Sequence, residues 1–183
     1  MLRGVHYTSA ESRLKLLYLL NDPWKLGSSE REKQRFLWAN ELIQREFPSQ
    51  KSILEIGCGE GHQSSYFARL GDCLYGVDIS SRAVGRARRR CPTGHFVVGN
   101  ALSFVPVRYF DLVVAAEVLY YLRDIDLVLD RMCLLGAACL VTYFNHHADR
   151  LDPFFEGRAT TKASFSSEGT SWTARWWHNS PRA

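Results

Sequence analysis

The chain has 183 residues, 46% of them hydrophobic and 23% charged, with a formal net charge of +4. That length suits one domain built on a single sheet, leaves no separate substrate domain, and contains no apolar run long enough to span a membrane. Cys58, Cys73, Cys91, Cys133 and Cys139 are an odd set without a Cys-x-x-Cys pair, so they read as reduced, buried thiols rather than a disulfide framework or a zinc site.

Residues 10–20 and 30–46 carry helical apolar spacing, through Leu14, Leu17 and Tyr18 and then Phe36, Leu37, Ile43 and Phe47. Asn21, Asp22, Pro23 and Gly27 break the chain between them, giving a helical preface over residues 1–48. Arg13 and Lys15 interrupt the first apolar patch and no small-residue cleavage site follows, so a cytoplasmic chain without a secretion signal is expected. Ser52–Ile56 then reads as a buried strand, followed by a glycine-rich turn and a helix over His62–Leu70 that Gly71 ends. The alternation continues with strand Leu74–Val77, helix Arg82–Arg90, strands Phe96–Val98 and Phe110–Ala115, helix Asp124–Leu135 and strand Cys139–Phe144. Past Pro153, Thr160–Phe165 and Ser171–Trp177 predict a hairpin turning at Glu168-Gly169. The predicted fold is α/β: a mostly parallel seven-stranded sheet with an antiparallel C-terminal hairpin and a helical N-terminal preface, all in one domain. Its parts are the preface or lid (1–48), the core (51–145) and a substrate-side segment with the hairpin (146–183).

The strongest chemical signal is Glu55-Ile56-Gly57-Cys58-Gly59-Glu60-Gly61-His62, a buried strand that ends in three alternate glycines and opens a helix. Glycine lets the backbone turn sharply and lets a ligand approach where a Cβ would collide. A nicotinamide fingerprint would place a third helix-side glycine at His62, and an acid at Glu55 would repel a pyrophosphate. A ligand bearing an ammonium group near Glu55 removes that objection. Asp78 ends the next strand and can accept from both hydroxyls of a ribose.

These residues resemble the class I methyltransferases that use S-adenosylmethionine (SAM), whose first motif has the form seen over Glu55–Gly61. The resemblance implies a Rossmann-like sandwich, with Gly57, Gly59, Gly61 and Glu55 at the methionine end of SAM, Asp78 on the ribose and Ile79 against the adenine. It places Asn100, followed by Ala101, near the adenine amine, where the family often has Asp. Asp22-Pro23-Trp24-Lys25 with Gly27-Ser28-Ser29, and Phe110–Val114 running to Glu117–Leu122, are similar to the nodulation N-methyltransferase (NodS-like) group. That group methylates an amine on a sugar-derived substrate, so the resemblance implies SAM-dependent methyl transfer to a small-molecule acceptor, with S-adenosylhomocysteine as product.

Glu117 follows a buried strand at the carboxyl edge of the sheet, where open α/β folds hold ligands, and is the first candidate for a catalytic base. Tyr120 and Tyr121 can border substrate or pack, and His146 and His147, past the fifth strand, can face the acceptor. The expected catalytic set is Glu117, His147 and Tyr120. Trp24 is expected as a lid over SAM, Asp111 as a local structural acid, and Trp172, Trp176 and Trp177 as packing residues. Arg82, Arg86, Arg88, Arg89 and Arg90 form a basic helix, read as a solvated face; contact with RNA phosphates is the alternative, and an RNA methyltransferase or a non-catalytic SAM-binding protein are the competing functions. Neither a metal, a nucleic acid nor a membrane is expected as partner.

Overall fold

The computed structural model describes Leu14 and residues 16–179; residues 10–13 and 15 of the helix expected over 10–20 lie outside the described residues. Helix α1 (Glu30–Glu46) begins where Ser29 accepts from the Glu32 N–H, and buries Phe36, Ala39, Leu42 and Ile43. Strand β1 (Ser52–Ile56) is buried throughout, as a run without polar alternation requires for a central parallel strand. There follow α2 (Ser64–Phe67), β2 (Cys73–Asp78), α3 (Ser81–Arg90), β3 (His95–Val98), β4 (Phe110–Ala116), α4 (Ile125–Leu135), β5 (Gly136–Phe144), the short α5 (Ala148–Leu151), β6 (Thr161–Ser167) and β7 (Thr170–His178).

One seven-stranded sheet results, in the order β3-β2-β1-β4-β5-β7-β6. The first five strands pair in parallel, whereas β7 runs antiparallel to both β5 and β6. Strand alternation divides the core: Ile53, Leu112, Val114 and Leu140 face α1 to α3, while Leu54, Val113, Cys139 and Val141 face α4. The hairpin turns through Glu168 (φ 50°) and Gly169 (φ 74°), both left-handed, which matches strand twist across a two-residue loop.

Two expectations are corrected. The helix expected over His62–Leu70 is only the four residues of α2, because Gly71 lies against the Lys51 carbonyl, where a Cβ would come within 2.8 Å. The chain must turn there so that the N–H groups of Asp72 and Cys73 reach the Lys51 oxygen and start β2. The fifth strand starts three residues earlier than Cys139, passing directly from α4 through Gly136, which fits closely beneath Val113. All five cysteines are free; Cys58, Cys91 and Cys139 are buried, whereas Cys73 and Cys133 are partly exposed.

Candidate active site

Two adjoining cavities, of about 370 and 330 Å³, open at the carboxyl ends of the strands and share Gly57, Asp78, Val118 and Tyr121 in their walls. Both lie on either side of β1, where the strand order reverses, the position at which open α/β sheets bind ligands.

The glycines of the turn all have positive φ, of 74°, 52° and 78° at Gly57, Gly59 and Gly61, a region costly to residues bearing a Cβ. Gly57 donates to the Val77 carbonyl at 2.8 Å and Gly59 to Asp78 Oδ2 at 3.0 Å, so the turn is tied to the tip of β2. Gly61 is placed differently from expectation. It does not line either cavity; it lies against Ala87 of α3, whose Cα would be 2.9 Å from an added Cβ, and so serves helix packing.

Glu55 and Asp78 line the first cavity from adjacent strand tips and are 3% and 8% exposed, so each is a desolvated acid. Burial pushes the Glu55 carboxyl up to about 8 even though Ser64 Oγ donates to it. Burial likewise raises Asp78, against the N–H groups of Ser80 and Gly59, which donate to its two oxygens. Ile79, Asn100 and Ala101 line the second, more apolar cavity beside Asp78.

Glu117 enters the first cavity from the end of β4. Its φ of 55° lies in the left-handed region, which costs a non-glycine residue about 1 kcal/mol or more. Thr142 Oγ1 donates to Glu117 Oε1 at 2.9 Å and Tyr120 Oη donates to Oε2 at 3.2 Å. Burial raises the Glu117 pKa, while the Arg35 guanidinium and the Thr142 hydroxyl pull it down. His147 is a correction: it stacks on the far side of the Tyr120 ring, with centroids 4.1 Å apart, and is absent from the cavity wall, as is His146. The short turn after β5 sends both histidines outward along Asn145–His147.

Trp24 lines the first cavity, edge-on to Tyr18 at 5.3 Å and to Tyr121 at 6.0 Å. The three rings form one aromatic part of the cavity wall beside Gly59, whose missing Cβ would meet the Tyr18 hydroxyl at 2.8 Å. Sequence reasoning missed Tyr18, Glu60, Arg35 and the cavity role of Trp172. Arg35 is 2% exposed, donates to Glu32 and Gln63 at 2.8 Å each, and lies in the same wall as Glu117. Its helical position on α1 looks like any solvated arginine; only the packing of α1 on the sheet edge turns it inward.

Glu60 fastens the preface. It accepts from the Asp22 N–H through both oxygens at 3.1 Å and pairs with Arg86, which also donates to the Leu20 carbonyl. Arg90 donates to the Glu60 carbonyl and Arg88 to the Phe96 carbonyl, yet Arg82, Arg88, Arg89 and Arg90 are exposed, so the basic helix keeps the solvated face expected of it and Arg86 alone is half-buried. The ligating atoms of Asp22, Glu60 and His62 lie within 4.8 Å of one another, but Arg86 and Arg90 already supply positive charge to Glu60. Asp111 accepts from the Lys51 and Ser52 N–H groups and from Ser52 Oγ, which is the local structural role expected of it.

A parallel sheet of this order with an antiparallel β7, a glycine turn after β1 and acids ending β1 and β2 defines the Rossmann-like class I methyltransferase architecture. The family model for nodulation protein S (NodS) matches residues 10–134, and the chain belongs to that family. Nodulation protein S of Bradyrhizobium diazoefficiens is 37% identical over 111 residues, covering 58% of this chain and 52% of the relative. The chain thus spans about half the length of the curated relatives it matches. Among solved structures, the N-methyltransferase NodS of Bradyrhizobium japonicum WM9, in complex with S-adenosyl-L-homocysteine, has a TM-score of 0.77 at 23% identity, over 93% of this chain and 98% of that one. Magnesium protoporphyrin IX methyltransferase of Synechocystis PCC 6803, with bound SAM, has a TM-score of 0.76 at 14% identity, over 97% and 100%. No helix among the described residues is long and apolar enough to cross a membrane.

Proposed function

We propose that this chain is a SAM-dependent methyltransferase that methylates an amine of a small, sugar-derived acceptor. The observation that carries the reading is that Glu55, Asp78 and Glu117, from the ends of three neighbouring strands, line one cavity beside an aromatic wall. The residues suit SAM on two counts. The missing Cβ at Gly59 lets the Tyr18 ring close on the turn, since an added Cβ would meet its hydroxyl at 2.8 Å, and Glu55 is a buried acid with no cation bonded to it among the described residues. The names of the relatives support the same reading.

When bound, SAM supplies a methyl group on a positively charged sulfur. Glu55 would hold the ammonium end in its ionised form, Asp78 would accept from the ribose hydroxyls, and Ile79, Asn100 and Ala101 would enclose the base. Tyr18, Trp24 and Tyr121 exclude water. Glu117 accepts the proton of the incoming amine at Oε2 or selects its neutral form, with Thr142 and Tyr120 fixing the carboxylate. Alignment of the two reactants can contribute about 7–11 kcal/mol of barrier reduction. Arg86, Arg88 and Arg90 each donate within the chain, to Glu60 and to the Phe96 carbonyl, which weakens the alternative of an RNA acceptor.

The test is calorimetric titration of the full chain with SAM, followed by a methyl-transfer assay on amino sugars and on bulk RNA. Micromolar binding with transfer only to the amino sugars is expected. Absence of binding overturns the cofactor; transfer to RNA overturns the acceptor.

A further inference from the structure

We propose that Cys133 and Cys139 form a peroxide-reactive dithiol that closes to a reversible disulfide across the junction of α4 and β5. Cys133 lies near the end of α4 and is partly exposed, while Cys139 lies on β5 with no exposed surface. Two side chains tie the cysteines together. Trp177 Nε1 donates to Cys133 Sγ at 3.3 Å; Asn179 Nδ2 approaches Cys139 Sγ at 3.6 Å and the Cys133 carbonyl at 3.3 Å. Trp177 is itself the register partner of Cys139 across β5 and β7, so the hairpin holds donors against both sulfurs.

An indole N–H and a neighbouring thiol aimed at one sulfur favour its anion. The Cys139 thiol donating to it draws the Cys133 thiol down to about 6; the Trp177 N–H and the Arg158 guanidinium assist, while burial and Asp130 oppose. Burial, and then its donation to Cys133, raise Cys139, which leaves it protonated as the second partner. The remaining cysteines lack this arrangement: burial raises Cys58 well above the ordinary thiol range.

The chemistry balances with hydrogen peroxide as oxidant. The Cys133 thiolate attacks one peroxide oxygen, the O–O bond breaks, and hydroxide leaves and takes up a proton to give water and a sulfenic acid. The Cys139 sulfur then attacks the sulfenic sulfur, the S–O bond breaks, and the Cys139 proton departs with that oxygen as a second water. Two thiols are oxidised and one peroxide is reduced.

The low thiolate pKa also lowers intrinsic nucleophilicity, so the advantage over an ordinary cysteine is only a few-fold near pH 7 but about tenfold at pH 6, where ordinary thiols are almost wholly protonated. Cys133 lies on α4 before β5 begins and lines neither cavity, so Cys133→Ser leaves basal methyl transfer unchanged.

The experiment treats the full chain with one equivalent of hydrogen peroxide at pH 6, followed by alkylation and peptide mapping. The expected result is one intramolecular Cys133–Cys139 bridge that dithiothreitol reverses, with Cys58, Cys73 and Cys91 still alkylated. Cys139→Ser is expected to leave a dimedone-reactive Cys133, and Cys133→Ser to remove the reaction. Alkylation of Cys133 in the unaltered chain, which needs no variant, should reach half its maximal rate near pH 6. A midpoint near the ordinary value of about 8.5, bridging through other cysteines, or Cys133 oxidising no faster than Cys73 would each overturn the proposal.

Discussion

Thr142 on β5 grips Glu117 beyond the end of β4 twice: its carbonyl accepts the Glu117 N–H at 2.9 Å, and its hydroxyl donates to Oε1 at the same distance. The first bond extends the parallel ladder one residue beyond the Ala116–Thr142 pair, and the second aims the carboxylate. Together they hold the left-handed backbone that delivers Glu117 to the cavity.

Replacing the base while keeping its shape tests that arrangement. Glu117→Gln is expected to leave SAM affinity within a few-fold and to lower turnover about 10²-fold or more. Unchanged turnover on a true acceptor would discard Glu117 as the base. Thr142→Val removes a donor that favours the ionised acid, so the Glu117 pKa rises and the acid limb of the kcat/KM profile moves to higher pH by about one unit. A profile that does not move would leave Thr142 a purely structural residue.

Glu55 is expected to couple cofactor binding to proton release. Its acid is pushed up to about 8 without ligand and is ionised beside an ammonium, so binding near pH 7 releases close to one proton and affinity rises as pH approaches 8. Titrations in buffers of different ionisation enthalpy give the proton count. Glu55→Gln should abolish the release and weaken binding roughly 10- to 100-fold; a variant that keeps the pH dependence would place the titrating group elsewhere.

The glycines separate packing from binding. Gly61→Ala forces a Cβ onto the backbone of Ala87 at a positive φ, and is expected to cost about 2–3 kcal/mol, measured as a shift in denaturation midpoint. Gly59→Ala meets only the Tyr18 hydroxyl and should lose less stability but more SAM affinity. Equal effects of the two on both measurements would contradict the division of roles.

His62 makes the preface sensitive to acid. Burial, then Arg90, lower its pKa against the pull of Asp22 and Glu60, and its buried Nε2 has no hydrogen-bond partner among the described residues, lying 3.4 Å from Asp22 Oδ1 and 3.6 Å from Glu60 Oε2. Below the ordinary histidine value the unfolded chain binds a proton that the folded chain resists, so this residue's contribution makes stability fall as pH drops from about 6.5 towards 5. The Glu55 contribution has the opposite sign, since its raised pKa favours the folded state at low pH and fades as pH rises to about 8. The comparison is therefore of unfolding midpoints for the unaltered chain and His62→Gln: the variant should lose less stability on acidification. An identical slope would remove His62 from the account.

The local sequence was enough to place the strands and the turn of the site. Buried strands announce themselves by unbroken apolar runs such as Ser52–Ile56, and a turn that needs positive φ announces itself by Gly57, Gly59 and Gly61. Asp78 followed from its place at the end of the next strand, because parallel pairing puts successive strand ends side by side. What the sequence could not supply is where long side chains go once elements pack. Arg35 and Arg86 are helix positions indistinguishable in spacing from solvated ones, yet the first enters the cavity wall and the second reaches Glu60. His147 was misplaced for the same reason, because the tight turn Asn145–His147 after β5 rotates it outward; Trp172 packs as expected, and the pairing of β7 with Phe144 of β5 also brings it to the cavity. Backbone preference is a local property, legible residue by residue; the direction of a flexible side chain depends on charges and surfaces brought together from distant parts of the chain, and only the tertiary structure determines those.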